Sequence, residues 1–267
     1  MQGRVLIIAG SDSGGGAGIQ ADIKTVTALN GFAATAITAL TAQNTLGVQS
    51  IEEVSAQFVI EQIRVVLEDI GADAIKIGML HRREIVEAVA DFFDAEKNLP
   101  PVILDPVMIA KGGAALVAGD ASEAIKTRLI ASHTHILTPN IPEAEQLTGL
   151  KIESLSDMEK AGRMLLEMGP IAVLMKGGHR EGKYVVDLLV SPEGVQSFSH
   201  ERFDTRHTHG TGCTLSSAIA VGIAQGFPVK KAIGRALRFV HTAIEQAPGI
   251  GGGHGPLDHA HNVMPFD

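Results

Sequence analysis

What most limits the folds open to this chain is an alternation that runs through it. Short apolar, β-branched stretches take turns with longer stretches whose apolar residues recur at helical spacing. Residues 4–9, 33–41, 74–77, 101–104, 136–138 and 171–175 read as strands. Residues 19–29, 57–70, 84–94, 158–168, 214–224 and 232–247 read as helices. Within 57–70, for example, Val59, Ile63, Val66, Leu67 and Ile70 share one helical face. Residues 184–190 and 195–203, separated by Ser191-Pro-Glu-Gly, read as a hairpin at one sheet edge. Such a βαβα order predicts an α/β fold: a mostly parallel central sheet with helices on both faces, plus the edge hairpin. No internal repeat or linker-like stretch interrupts it, so residues 1–267 are expected to form a single domain.

Composition says what fills the layers. Hydrophobic residues make up 45% of the chain, with no Trp and one Tyr, so the core must be aliphatic. The net charge of −8, without basic runs, argues against a nucleic-acid partner, whose affinity would rest on Lys and Arg. A single cysteine, Cys213, excludes an intrachain disulfide and suits a reducing compartment. The apolar run 5–9 is too short for a leader and reads as a strand. The uncharged stretch 25–51 is broken by Thr, Asn, Gln and Gly31, which rules out a spanning helix. The expectation is a soluble cytoplasmic protein with no membrane partner.

Thirty glycines are too many for helices and strands alone and point to turns that approach ligands closely, and two glycine-rich segments could cradle anions. The first, residues 11–21, holds Gly16-x-Gly18-x-x-Ala21 after a strand, which fits part of a dinucleotide fingerprint. The acidic residue that the fingerprint needs after the second strand is missing, and no Gly-Lys-Ser/Thr follows for a P-loop. A substrate-binding loop is the favoured reading, with a plain tight turn and a dinucleotide site as alternatives. The second segment, Thr208-His-Gly-Thr-Gly-Cys213, directly precedes an apolar helix. Gly210 and Gly212 allow successive N–H groups to point one way, and the helix terminus adds positive potential. That predicts an anion hole for a transferring phosphoryl group, alongside ordinary capping by Thr211 or Thr214. Cys213 sits where the helix field would favour a thiolate able to act as a base. The plainer reading is a small buried hydrophobe.

Ligands of parallel sheets bind beyond the carboxyl ends of the strands. Asp105, Asn140 and Lys176 each follow a strand, so alternation alone places them on one rim.

Taken together, the segments closely resemble the hydroxymethylpyrimidine/phosphomethylpyrimidine kinases of the ribokinase-like superfamily. The resemblance rests on residues 8–12, 15–22, 38–45, 76–80, 104–108, 138–143, 174–179 and 208–213, in order along nearly the whole chain. It implies a ribokinase-like three-layer α/β/α kinase domain, ATP as co-substrate with Mg²⁺, and a homodimer. It implies two successive reactions in thiamin biosynthesis, from 4-amino-5-hydroxymethyl-2-methylpyrimidine to its phosphate and then to the diphosphate. Carried over by position, Gln43 recognises the aminopyrimidine, and Gly10, Ala17, Met79 and Val107 wall the same pocket. Asn140 and Glu143 form the Asn-x-x-Glu motif associated with metal and phosphates. Lys176 and Thr211 meet the nucleotide, with Asp105 and Glu143 toward the metal. Cys213, with Gly210, Thr211 and Gly212, stands where sugar kinases of the superfamily carry an Asp base.

The chemistry agrees, because phosphoryl transfer needs positioning and charge neutralisation more than covalent help. Asp105 and Glu143 are the oxygen donors that Mg²⁺ prefers. Asp105 could instead be a turn former before Pro106, and Lys176 a solvated strand end. A pyridoxine or pyridoxal kinase is the nearest alternative, and the segment 42–45 favours the pyrimidine. An NAD-dependent oxidoreductase would rest on the Gly16 fingerprint alone, and a non-catalytic pyrimidine sensor would show decayed phosphate residues. His207 and His209 near Cys213 suggest zinc, but a site there would fill the phosphate nest. His254, His259 and His261 read as a solvated tail.

Overall fold

The computed structural model describes residues 2–108, 120–179 and 182–264. Strand β1, Arg4–Asp12, is the third strand from one edge of a sheet that has nine strands among the described residues. Helix α1 (Gly18–Ala28) crosses to β2 (Phe32–Asn44), which turns back through a tight hairpin into β3 (Gly47–Glu53). Helix α2 (Ala56–Asp69) then leads to β4 (Ala74–Ile77), and α3 (Arg83–Ala95) to β5 (Val102–Leu104). A short α4 (Ala121–Ala124), continuing as a π-helical turn over Ile125–Ile130, precedes β6 (Ile136–Leu137). Two helices, α5 (Ile141–Thr148) and α6 (Leu155–Leu166), lead to β7 (Ala172–Met175). The hairpin β8 (Tyr184–Ser191) and β9 (Gly194–Glu201) follows, and α7 (Thr211–Ala224) and α8 (Val229–Glu245) are the last two helices.

The strand order is β3-β2-β1-β4-β5-β6-β7-β8-β9. From β2 to β7 every pairing is parallel, whereas β3 and the β8–β9 pair are antiparallel. The expected edge hairpin is therefore present. A second antiparallel edge, β3, was missing from the sequence reading because its polar, exposed residues carry no apolar run.

Side chains of successive strand residues alternate between faces, and β1 divides the core accordingly. Leu6 and Ile8 belong to the core cluster that also takes in residues of α2, α3, α5 and α6, whereas Val5 and Ile7 belong to the one that takes in residues of α1, α7 and α8. Helix α7 has buried residues on every side, as expected for a helix sandwiched between sheet and helices. Among the described residues, no helix is long and apolar enough to cross a membrane.

Consecutive strands run outward in opposite directions from β1, to β2 on one side and β4 on the other. Such a switch in strand order opens a crevice at the carboxyl ends of the strands.

Candidate active site

A cavity of 640 Å³ opens at that carboxyl edge. The residues given catalytic, substrate, nucleotide or metal roles from the sequence line it: Gly10, Ala17, Gln43, Met79, Asp105, Val107, Asn140, Glu143, Lys176 and the Gly210–Cys213 loop. Asp12, Lys76, Asp187, His200, Phe203 and His241, to which the sequence assigned no role, also line it, as does His209, considered above only as a zinc ligand.

The centre of the cavity is a charge cluster. Asp105 follows β5 and Lys176 follows β7, and Lys176 Nζ lies 2.7 Å from Asp105 Oδ1. The backbone N–H of Lys176 donates to Pro139 O at 2.9 Å, which sets the lysine beside the start of α5. There Asn140 and Glu143 form a capping box. The Asn140 N–H donates to Glu143 Oε2 at 2.7 Å, and the Glu143 N–H donates to Asn140 Oδ1 at 2.9 Å. The motif thus stabilises a helix start in its own right, and it also holds the Glu143 carboxylate 3.9 Å from Lys176 Nζ. Burial, with Asp105 nearby, pushes the Glu143 carboxyl up to about 7 against the pull of Lys176. Burial opposes the Lys176 charge, but Asp105 and Glu143 outweigh it and push the lysine up to about 12. Asp187, buried on β8 and accepting the Gly177 N–H at 2.8 Å, is pushed up to about 6 by the same loss of water.

The N-terminus of α7 lies directly over this cluster. Gly210 caps it at φ +82°, a left-handed conformation, and its backbone rests so closely on Gly16 O that a side chain would collide. A carbon added to Gly212 would come within 3.2 Å of Asp105 Oδ2 and 3.3 Å of Lys176 Nζ. The glycines therefore let a helix N-terminus approach the lysine and carboxylates directly.

Cys213 differs from the low-pKa thiolate that its position suggested. Loss of water pushes its thiol up to about 11, with Asp22 and Asp105 adding to the effect and Lys76 opposing it. Beneath Cys213 lies a fully buried ion pair, Lys76 Nζ to Asp22 Oδ2 at 2.8 Å, with Ser217 Oγ donating to Asp22 Oδ1 at 2.7 Å.

The first glycine loop wraps around a carboxylate of its own. Asp12 accepts N–H bonds from Gly14 (2.8 Å), Gly16 (3.1 Å) and Ala17 (2.8 Å). His209 Nε2 lies 2.9 Å from its Oδ2. Burial works against the charge, but these bonds hold the Asp12 carboxyl down at about 2. The N–H groups that a pyrophosphate would need are already occupied, which removes the physical basis of the dinucleotide reading. The sequence signal that could have revealed this is an aspartate two residues before the glycine run, since Asp readily bonds N–H groups a few residues on.

At one end of the cavity Gly10 faces Met79, whose Cε would lie 3.4 Å from a carbon added there. At the other, His241 stacks near Phe203 (4.5 Å between centroids) and His200 (5.2 Å). The C-terminal histidines do not form a solvated tail. His259 is buried with Nε2 at 2.9 Å from Thr214 Oγ1, and burial pushes its imidazole down to about 4. His254 donates its N–H to Thr45 O, and Gly255 O accepts the His209 N–H. Among the described residues, no group of three His, Cys, Asp or Glu side chains is placed to hold a metal ion. Two buried carboxylates beside a lysine suit a hard divalent cation that brings most of its own ligands, such as one carried by a polyphosphate.

A lysine and an aspartate at strand ends, joined by a glutamate from the first turn of α5 and facing a glycine-lined helix N-terminus across the cavity, make this a small-molecule kinase of the ribokinase-like class. Residues 12–258 match the phosphomethylpyrimidine kinase family. The chain is 47% identical over 257 residues to a hydroxymethylpyrimidine/phosphomethylpyrimidine kinase of Bacillus subtilis, covering 96% of this chain and 94% of that one. Its fold superposes on the phosphomethylpyrimidine kinase of Clostridium difficile with a TM-score of 0.80 at 41% identity, covering 90% and 99% of the two chains. It also superposes on a Staphylococcus aureus pyridoxal kinase, solved with AMP-PCP and pyridoxal, with a TM-score of 0.89 at 31% identity, covering 99% and 96%. The chain belongs to the phosphomethylpyrimidine kinase family.

Proposed function

We propose that this enzyme phosphorylates the hydroxymethyl group of 4-amino-5-hydroxymethyl-2-methylpyrimidine and then the resulting monophosphate, with ATP as donor. The observation that carries the reading is the placement of the Lys176–Asp105 pair beneath Gly212, with Gln43 on the wall of the same cavity. A ring held at Gln43, between Gly10, Ala17, Met79 and Val107, directs its hydroxymethyl group toward Cys213 and the nest. Lys176 and the N–H groups of residues 210–213 meet the charge that spreads over the transferring phosphoryl group. Asn140 orients Glu143, and Thr211 supplies a hydroxyl at the nest. Asp105 and Glu143 would hold Mg²⁺, which when bound neutralises phosphate charge. His200, Phe203 and His241 offer flat surfaces for the nucleotide base. We place the enzyme in the cytoplasm as a homodimer, a second copy covering exposed Leu40, Leu46, Phe58 and Val65.

The likeness to a pyridoxal kinase keeps one other acceptor in view. The deciding assay compares ATP consumption with the aminopyrimidine alcohol and with pyridoxal. Two phosphoryl transfers per aminopyrimidine, at the higher kcat/KM, are expected. Turnover of pyridoxal alone would overturn the reading.

Cys213 meets the acceptor as a thiol, so its contribution is a hydrogen bond that holds the hydroxyl in line. Cys213→Ala is expected to slow the first transfer about tenfold, the worth of one hydrogen bond. The second is slowed less, because its acceptor is a phosphate oxygen and not the hydroxyl that Cys213 holds. Alkylation of the free enzyme by iodoacetamide should keep accelerating beyond pH 10, in line with a thiol near 11. A plateau below pH 8 would restore the thiolate base.

A further inference from the structure

Asp187 lines the cavity but has no part in the proposed phosphoryl transfer. It is 4% exposed, and among the described residues its side chain makes one hydrogen bond, which Oδ1 accepts from the Gly177 N–H at 2.8 Å. Holding one N–H needs one acceptor, and an asparagine would serve without burying a charge. The second carboxylate oxygen is left to accept from whatever enters the cavity.

The register of the sheet places that oxygen. Leu174 pairs with Leu189 and Met175 with Leu188, so the next residues to face each other are Lys176 and Asp187. Leu174 and Leu189 belong to the core cluster that takes in residues of α7 and α8, so by alternation Lys176 and Asp187 face the same side. One step further toward the rim, Val185 of β8 pairs with His200 of β9, and both line the cavity. The Lys176 ammonium lies at Asp105, which follows β5. Strands β5, β6, β7 and β8 are neighbours, so Asp187 stands three strand spacings, about 14 Å, from that point. It is too far away to share a cation with Asp105 or to meet the transferring phosphoryl group. It lies instead between the phosphate end of the cavity and His200, Phe203 and His241, the flat side chains assigned to the base. A nucleotide that spans those two ends has its sugar in between, and a sugar hydroxyl is a donor that a carboxylate can accept.

We propose that Asp187 is a ribose-binding residue: the oxygen not held by Gly177 accepts a hydrogen bond from a sugar hydroxyl of the nucleotide, and so selects a ribonucleotide over its deoxy forms. The proposal rests on the reading of the cavity as a nucleotide site with the base at His200, Phe203 and His241. A hydroxyl there replaces the water that burial takes from the carboxylate, and a hydrogen bond to an ionised acceptor is among the stronger ones.

The test is calorimetric binding of ADP and of 2′,3′-dideoxy-ADP to the full chain, with Mg²⁺ and without acceptor. The unsubstituted enzyme should favour ADP about tenfold to a hundredfold, the worth of one hydrogen bond to a charged group. Asp187→Ala should abolish that preference. Any displacement of Gly177 in the variant weakens both nucleotides alike and cancels in the ratio. Should Asp187→Ala not fold, because the Gly177 N–H is left without its partner, Asp187→Asn answers instead. It keeps that bond through its carbonyl oxygen and turns a neutral NH₂ group to the sugar in place of a charged acceptor, so the preference should fall about tenfold. A preference that is the same in parent and variant would leave Asp187 holding Gly177 alone and overturns the proposal. A parent that binds the two nucleotides equally overturns it too, and leaves the kinase reading standing. A parent that binds neither removes the nucleotide site, and the proposal falls with it.

Discussion

Lys176→Ala is expected to lower the single-turnover rate about 10²–10³-fold at saturating ATP, by analogy with the loss of one oxyanion donor. Lys176 is the cation set between Asp105 and Glu143, at 2.7 and 3.9 Å, and Gly212 leaves its ammonium uncovered on the cavity side. In the proposed mechanism, charge on a transferring phosphoryl group develops at that surface, so the loss should fall on the transition state more than on ground-state binding. The expected signature is an equal fall in kcat and kcat/KM. Removing the lysine also leaves Asp105 and Glu143 facing each other, so Glu143 is held protonated to still higher pH. Circular dichroism should report an intact fold, because Lys176 stands at a strand end beside the cavity. An unchanged rate in the folded variant would remove Lys176 from the mechanism.

Lys76→Met should have the largest effect on stability, about 3–5 kcal/mol, because it strands a charged Asp22 in the core. Both side chains of this pair are 0% exposed, and only Ser217 would remain to bond the carboxylate. For a chain of this length the melting temperature should fall by roughly 6–20 °C. Adding Asp22→Asn to Lys76→Met should recover most of the loss, since a buried pair replaced on both sides is often nearly neutral. Ser217 can still donate to the asparagine carbonyl. A single variant as stable as the parent would mean that water or another cation reaches Asp22.

The parallel frame was legible in the sequence because buried strands announce themselves as apolar runs, as residues 74–77 do without a boundary error. Helix α5 was not, because its eight residues follow so closely on β6 that Asn140 and Glu143 registered as a motif and not as a helix start. The rim residues Asp105, Asn140 and Lys176 could be placed together from strand ends alone. The environment of Cys213 could not, since its thiol is governed by burial and by Lys76, Asp22 and Asp105, three groups distant in sequence. The same holds for Asp12, whose partners include a histidine 197 residues away. Periodicity reports which face of an element is covered; it is silent about which loops meet.

The layer formed by α1, α7 and α8 has a consequence for how the protein is made. Val5 and Ile7 emerge from the ribosome early and receive α1 soon after, but α7, which completes their cover, begins only at Thr211. At about 5–20 residues per second, that face of the sheet waits roughly 10–40 s for its second and third helices. The opposite face, holding Leu6 and Ile8, receives both α2 and α3 far sooner. The nascent chain is therefore a sheet with one face covered by α1 alone, leaving an apolar strip open to neighbours and holdase chaperones throughout that interval. The phosphate nest is completed in the same late step, when Gly210 settles on Gly16. Stalling translation before α7 would thus release an aggregation-prone sheet with no partial activity.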